Sequence, residues 1–219
     1  MSAYQHRWVD GALINLPHSK AVCVGRNYAQ HAKELNNPIP ETPLLFLKPS
    51  TAFAPLQPSF AIPRDSACHH ELEIAVLIGA SLRQADSAAI QRAVIGMSVG
   101  LDLTLRDAQQ QLKEKGHPWE MAKAFDGALP LAPFVKVEQC GDWTRLQCQL
   151  DVNGVVRQHG DAADMLTPII PLIEYITRYF TLLPGDVVMT GTPAGVAALQ
   201  LGDKLSLRFA NMTFDTVVD

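Results

Sequence analysis

The 219-residue sequence predicts an α+β fold built on a largely antiparallel or mixed sheet. Three observations carry this. Strand-like segments, about nine by pattern, outnumber helical ones, about four, and the two kinds do not alternate as βαβ units. Residues 146–159, LQCQLDV-NG-VVRQH, read as a hairpin whose Asn153-Gly154 pair suits the two positive-φ positions of a type I′ turn. Residues 69–79 (HHELEIAVLIG) and 94–103 (VIGMSVGLDL) read as core strands in which acidic residues interrupt apolar runs.

The elements follow in order. Residues 20–25, KAVCVG, form a short buried strand, and 27–36, NYAQHAKELN, a short helix. LLFLK at 44–48 is a strand stopped by Pro49, and 50–68 is an irregular connection marked by proline and serine. A strand over 70–79 and a helix over 85–93 precede the strand at 94–103. In that last strand Ile95, Met97, Val99, Leu101 and Leu103 share one face. Gly96, Ser98, Gly100 and Asp102 share the other, leaving room for something beside the sheet. Thr104 with Asp107 resembles a capping box for the helix LRDAQQQLKEK, which ends at Gly116. A helix begun by Pro168 spans 168–182, and VVMTG at 187–191 is a strand leading into the small-residue loop GTPAG. LGDKLSLRF and TFDTVV close the chain with two more strands.

Composition narrows the class of partner. The net charge is −4 and lysine and arginine form no cluster, so nucleic acid and anionic membrane surfaces are not expected. The start, MSAYQHRWVDG, lacks a signal-peptide pattern, and no apolar run approaches the ~20 residues of a membrane span. The expectation is a soluble, cytoplasmic protein, with residues 1–219 forming a single catalytic domain. The four cysteines are scattered without a C-x-x-C pair, so reduced thiols with packing roles are expected rather than a zinc site. Cys68, ahead of His69 and His70, is the one weak nucleophile candidate.

Side chains two apart in a strand share a face, so Glu71 and Glu73 point the same way. Solvent, basic partners or a cation could each relieve their repulsion. Asp102, near the end of the second strand, makes a third carboxylate and a hard-oxygen donor set suited to Mg²⁺ or Mn²⁺. Counting His69 as a ligand would point instead to a non-haem iron site, for which a second histidine must come from elsewhere. His31 and Glu34, three apart on the first helix, fit either a carboxylate-oriented general base or an ordinary surface pair. Arg106 and Gln109 stand at a helix start, Lys123 in a loop, and Thr190 and Thr192 flank Gly191 in a loop offering hydroxyls and N–H groups.

Six segments, VGRNYAQHAKE, LLFLKPSTAF, HHELEIAVLIG, GLDLTLRDAQ, KGHPWEMAKAFD and GDVVMTGTPAGV, together resemble the fumarylacetoacetate hydrolase family, in its small single-domain acylpyruvase and oxaloacetate-tautomerase form. The resemblance runs from about residue 20 onward. It implies a mixed β-sandwich or β-roll, a homodimer, and Mg²⁺ or Mn²⁺ held by Glu71, Glu73 and Asp102. It further implies His31, Glu34 and Lys123 as catalytic residues and Arg106, Gln109 and Thr192 as substrate-binding residues. The extra N-terminal domain of fumarylacetoacetate hydrolase itself is not expected here, which favours a smaller substrate. The implied chemistry is a metal-stabilised enolate of a small 2-oxo acid. It leads to oxaloacetate tautomerisation, acylpyruvate C–C hydrolysis or oxaloacetate decarboxylation. A non-catalytic binder of 2-oxo acids is the alternative of another class, and it would need no base.

Overall fold

The computed structural model describes residues 4–34 and 38–219. Three sheets account for its strands. The eight-stranded mixed sheet runs in the order Leu44–Pro49, Lys20–Gly25, Val187–Met189, Leu72–Ile78, Val94–Leu101, Leu129–Leu131, Phe53–Pro55, with Val135–Lys136 also pairing with Val94–Leu101. A five-stranded sheet contains the hairpin Gln147–Val152 and Val155–Asp161, then Lys204–Phe209, Met212–Val218 and Ser59–Phe60. Ala197–Ala198, Cys68–His70 and Thr104–Leu105 make a small third sheet.

The large sheet is buried on both faces, which explains why Leu72–Ile78 is apolar at nearly every position. On one face Leu72, Ile74, Val76, Met97 and Val99 pack with Leu150, Leu205 and Leu207 of the five-stranded sheet and with Leu172, Ile173 and Ile176 of the helix Ile169–Tyr179. On the other, Ala75, Leu77, Cys23 and Met189 pack with Leu129, Leu131, Phe134 and the N-terminal residues Tyr4 and Ile14. His6 in that segment is wholly buried. Its Nδ1 lies 3.1 Å from the Tyr4 hydroxyl and its Nε2 2.9 Å from the Gly185 carbonyl. Burial pushes its pKa down to about 4.

The hairpin forms as expected, with φ of 53° at Asn153 and 78° at Gly154. The helix Arg106–Glu114 closes at Gly116, whose φ is 65°, with His117 N donating to the Leu112 carbonyl at 2.9 Å. Several expectations are corrected. The first helix spans Ala29–Glu34, and the expected continuation over 35–36 lies outside the described residues. The segment 50–68 contains two short strands, Phe53–Pro55 and Ser59–Phe60, because Met212–Val218 and Leu129–Leu131 offer them parallel edges. The strand read over 70–79 is two strands in different sheets, parted at Glu71. Thr104 does not cap the next helix; its hydroxyl donates to the Asp102 carbonyl, and Leu105 is the N-cap residue without a side-chain bond.

Residues 94–103 hold the most instructive correction. A bulge between Leu77 and Ile78 moves Ile95 off the face of Met97 and Val99 and into the other core. The room left by the small residues is filled by protein. A Cβ at Gly96 would lie 2.8 Å from the Trp8 ring, and one at Gly100 would lie 2.6 Å from Leu131. The Ser98 hydroxyl donates to the Ala132 and Pro133 carbonyls at 3.0 and 2.8 Å. Asp102, at the end of that face, meets the carboxylates of Glu71 and Glu73 instead.

Candidate active site

The break at Glu71 places the first carboxylate where two sheets diverge. Asp102 lies across from it, its backbone N–H donating to the Glu71 carbonyl at 2.8 Å. Glu73 sits on the same face of its strand, opposite Gly100. One ligand atom from each of Glu71, Glu73 and Asp102 lies within 4.8 Å of the other two, and all three residues are buried. Among the described residues no histidine joins this group, so His69 is not placed to complete an iron site.

Three cations surround the carboxylates. Lys123 Nζ bridges Glu71 Oε2 at 2.7 Å and Asp102 Oδ2 at 2.6 Å. Arg106 pairs with Glu71 Oε1, and its other terminal nitrogen donates to Gln109 Oε1 at 2.7 Å. Lys48 Nζ lies 2.8 Å from Asp102 Oδ1 but outside hydrogen-bonding geometry, and instead donates to the carbonyls of Lys123 and Ala128. Burial acts to raise Glu71, but the charges of Lys123 and Arg106 outweigh it and hold that carboxyl well below the usual range. Burial and the charge of Asp102 push Glu73 the other way, well above its ordinary value. Burial disfavours the Lys123 ammonium, yet Asp102 and Glu71 keep it charged.

This donor set fits a hard divalent cation. Three buried carboxylates converge, no soft ligand is among them, and Asp102 Oδ1, though ion-paired with Lys48, has no aligned hydrogen-bond donor among the described residues. Glu73 Oε2 is steadied from outside the cluster by the Gly191 N–H at 2.7 Å. That bond occupies one of the loop N–H groups expected from the sequence to face a ligand. Gly191 can make it because its φ is 93°, and a Cβ there would lie 2.6 Å from Asn27 Cβ.

The carboxylates form the floor of a cleft. His31 lines one side, buried, with Nδ1 3.5 Å from Glu34 Oε2 and no hydrogen-bond partner among the described residues. Burial lowers its pKa, so the ring is neutral at pH 7. Glu34 is itself tethered by the Gly195 N–H, 3.2 Å from both carboxylate oxygens. On the other side, Arg106, Gln109, Gln110 and Lys113 line the cleft from a single face of one helix, as their spacing requires. Lys123 also lines it, but from the end of a short helix, Glu120–Lys123, rather than the expected loop, with Nζ 5.1 Å from the Phe46 ring centre. Thr192 reaches the cleft; Thr190 does not, its hydroxyl donating to the Ile74 carbonyl. Cys68 is buried with a pKa pushed up to about 11, so it is no nucleophile.

The structure therefore brings Glu71, Glu73, Asp102, His31, Arg106, Gln109, Lys123 and Thr192 to one cleft, with Glu34 behind His31. Sequence reasoning missed Lys48, Arg26 and Lys113. Lys48 carried a signal, since a wholly buried lysine inside LLFLK is the same kind of anomaly as the two glutamates. Lys113 carried one too, seven residues after Arg106 and so on its helix face. Arg26 carried none. It lines the cleft from a backbone φ of 64° just after the strand Lys20–Gly25. Burial lowers the pKa of Lys113, and the nearby charges of Arg26 and Arg106 lower it further, so the outer cleft is crowded with positive charge.

Known proteins match this chain in sequence and in fold. The fumarylacetoacetate (FAA) hydrolase C-terminal family matches residues 20–218. The oxaloacetate tautomerase YcgM of Escherichia coli (strain K12) is 51% identical over 217 residues, 98% of this chain and 99% of that protein. A solved fumarylacetoacetate hydrolase family protein from Yersinia pestis CO92 has a TM-score of 0.97 at 47% identity, covering 99% of this chain and 100% of its own. The fumarylpyruvate hydrolase of Pseudomonas aeruginosa, solved in complex with Mn²⁺ and pyruvate, has a TM-score of 0.91 at 32% identity, covering 100% of this chain and 96% of its own. Matched along nearly its whole length in sequence and in structure, the chain belongs to the fumarylacetoacetate hydrolase C-terminal family.

Proposed function

We propose that this chain is a divalent-metal-dependent enzyme acting on small 2-oxo and 2,4-dioxo acids through an enolate. Its reactions are oxaloacetate keto–enol tautomerisation and, close beside it, acylpyruvate C–C hydrolysis. The observation that carries the reading is three converging buried carboxylates at the floor of a cationic cleft, with a neutral histidine on its wall. A tautomerase relative and a fumarylpyruvate hydrolase of the same fold support it.

Glu71, Glu73 and Asp102 would hold Mg²⁺ or Mn²⁺, which supplies Lewis-acid polarisation of a 2-oxo group. Lys123 adds positive charge at the same floor and favours an oxygen that becomes negative. Arg106, Gln109 and Thr192 hold the substrate's carboxylates, and the further charges of Arg26 and Lys113 favour a dianion such as oxaloacetate. His31, oriented by Glu34, moves the proton. In tautomerisation one proton leaves the enol oxygen and one is delivered to C3, so atoms balance. In hydrolysis His31 takes a proton from the water that attacks C4, and the pyruvate enolate that leaves is protonated at C3. A homodimer and a cytoplasmic location belong to the same reading. They rest on the resemblance and on composition; in the structure itself, no helix among the described residues is long and apolar enough to cross a membrane.

The test is a panel with Mg²⁺ followed by NMR, using enol and keto oxaloacetate and acetylpyruvate. Interconversion of the oxaloacetate forms, abolished by Glu71→Ala or Asp102→Ala, is the expected result. Loss of CO₂ without interconversion would identify a decarboxylase instead. Tight oxalate binding with no turnover of any substrate would make the protein a binder.

A further inference from the structure

The loop carrying Thr192 is gripped from its far side by a residue that the proposed chemistry does not touch. Gln158 lies on the second hairpin strand, Val155–Asp161. Val155 and Val156 on that strand are 52% and 55% exposed, whereas Gln158 is 1% exposed. An amide is buried where two valines are not, the reverse of the usual order, and that inversion calls for a polar purpose.

The hydrogen bonds of Gln158 supply it. Its Oε1 accepts from the Leu72 backbone N–H at 2.9 Å and lies 2.9 Å from His70 Nδ1. A backbone N–H can only donate, so this contact determines which way the amide points. The NH₂ end faces the loop, donating to the Pro193 carbonyl at 2.9 Å and to Thr192 Oγ1 at 2.8 Å. Thr192 Oγ1 is thereby an acceptor and still has one proton to place. The Pro193 carbonyl lies 3.5 Å away, at the limit of a hydrogen bond, and is already served by Gln158. The space on the cleft side remains for that proton, because Thr192 lines the cleft.

We propose that Gln158 is a positioning residue that turns the Thr192 hydroxyl into a hydrogen-bond donor aimed at an acceptor oxygen in the cleft, a carboxylate oxygen of the substrate. The inference rests on the reading of Thr192 as a substrate-binding residue. Gln158 does not itself line the cleft, so the five-stranded sheet would act on its polarity through Thr192. Close packing leaves little room for water to take over the role. A Cβ at Gly195 would lie 1.9 Å from the Arg157 carbonyl oxygen, and one at Gly160 would lie 3.2 Å from Pro193 Cγ.

The experiment measures KM, kcat and Tm with Mg²⁺ and oxaloacetate for Thr192→Val, Thr192→Ser, Gln158→Met, Gln158→Glu and the doubles of each Gln158 change with Thr192→Val. Gln158→Met keeps length and loses the amide; Gln158→Glu offers an acceptor where the donor stood, so the Thr192 proton turns inward. One lost hydrogen bond predicts about a tenfold rise in KM for Thr192→Val and Gln158→Glu and about threefold for Gln158→Met, with Thr192→Ser within about twofold of the parent. In the Thr192→Val background neither Gln158 change should raise KM by more than about twofold. Equal KM rises in both backgrounds, or no rise in a parent that Thr192→Val does impair, would overturn the proposal. If Gln158→Met does not fold, Gln158→Glu carries the same comparison. Thr192→Val with an unchanged KM would instead overturn the reading of Thr192 itself.

Discussion

His31 illustrates how a residue acquires its role from what surrounds it. A histidine three residues before a glutamate is an ordinary helical pair in sequence. In the structure burial lowers its pKa, while Glu71 and Glu34 act to raise it. The neutral ring, the base in the proposed reaction, is then present at pH 7 and is lost as pH falls through a value below 6.5. Activity is expected to follow that limb. Glu34→Gln removes a contribution that raises the pKa, so the limb should move to lower pH, and the plateau kcat should fall about 10–100-fold as the ring loses its orientation. A pH–rate profile of the variant checks both, and a limb displaced upward would contradict the assignment of His31 as base.

The N-terminal segment shows the same physics working on an element. Residues 4–14 cover one face of the large sheet, and His6 ties them to the turn at Gly185. Only the neutral ring both donates from Nε2 to the carbonyl and accepts at Nδ1 from the Tyr4 hydroxyl. The pKa is lowered in the folded state, so the unfolded chain binds the proton first. Stability from this site is full above pH 6.5 and is lost as pH falls toward about 4. A gap of that size corresponds to about 3 kcal/mol. Urea unfolding between pH 7 and pH 4 should show the parent losing about that much more than His6→Gln, which still donates to the carbonyl. Elements of this kind were poorly legible in sequence. Short strands such as Thr104–Leu105 and Leu129–Leu131 exist because a neighbouring edge is available, and local pattern does not record that.

Across the whole molecule, the carboxylate cluster is a cost of folding that a bound cation offsets. Three buried carboxylates repel one another, and Lys123, Lys48 and Arg106 cannot serve all of them equally. Glu73 is the one left with a backbone N–H and no cation within salt-bridge distance among the described residues. Glu73→Gln should therefore raise the stability of the metal-free protein by about 1 kcal/mol, while abolishing the gain from metal. For the parent, Mg²⁺ or Mn²⁺ at a hundred times Kd should add about 2.7 kcal/mol, a rise in Tm of about 5–10 °C for a chain of this size. Calorimetry with and without a chelator checks both. An unchanged Tm in the parent would remove the metal from the site.

Read alone, the sequence singled out the candidate site residues that the structure brings together. Glu71, Glu73, Asp102, His31 and Lys123 were visible because charge in an apolar run, or a base beside an acid, stands out against local pattern. The hairpin and the main helices were visible because turn residues and periodicity are local too. Tertiary structure alone decided what each group faces. It divided the strand at Glu71, filled the space beside Gly96 and Gly100 with Trp8 and Leu131, and buried Lys48 beneath Asp102. It also set Gln158 behind Thr192, across 34 residues of sequence. These are contacts between segments far apart in the chain, and their energies depend on burial and on partners that no short stretch of sequence contains.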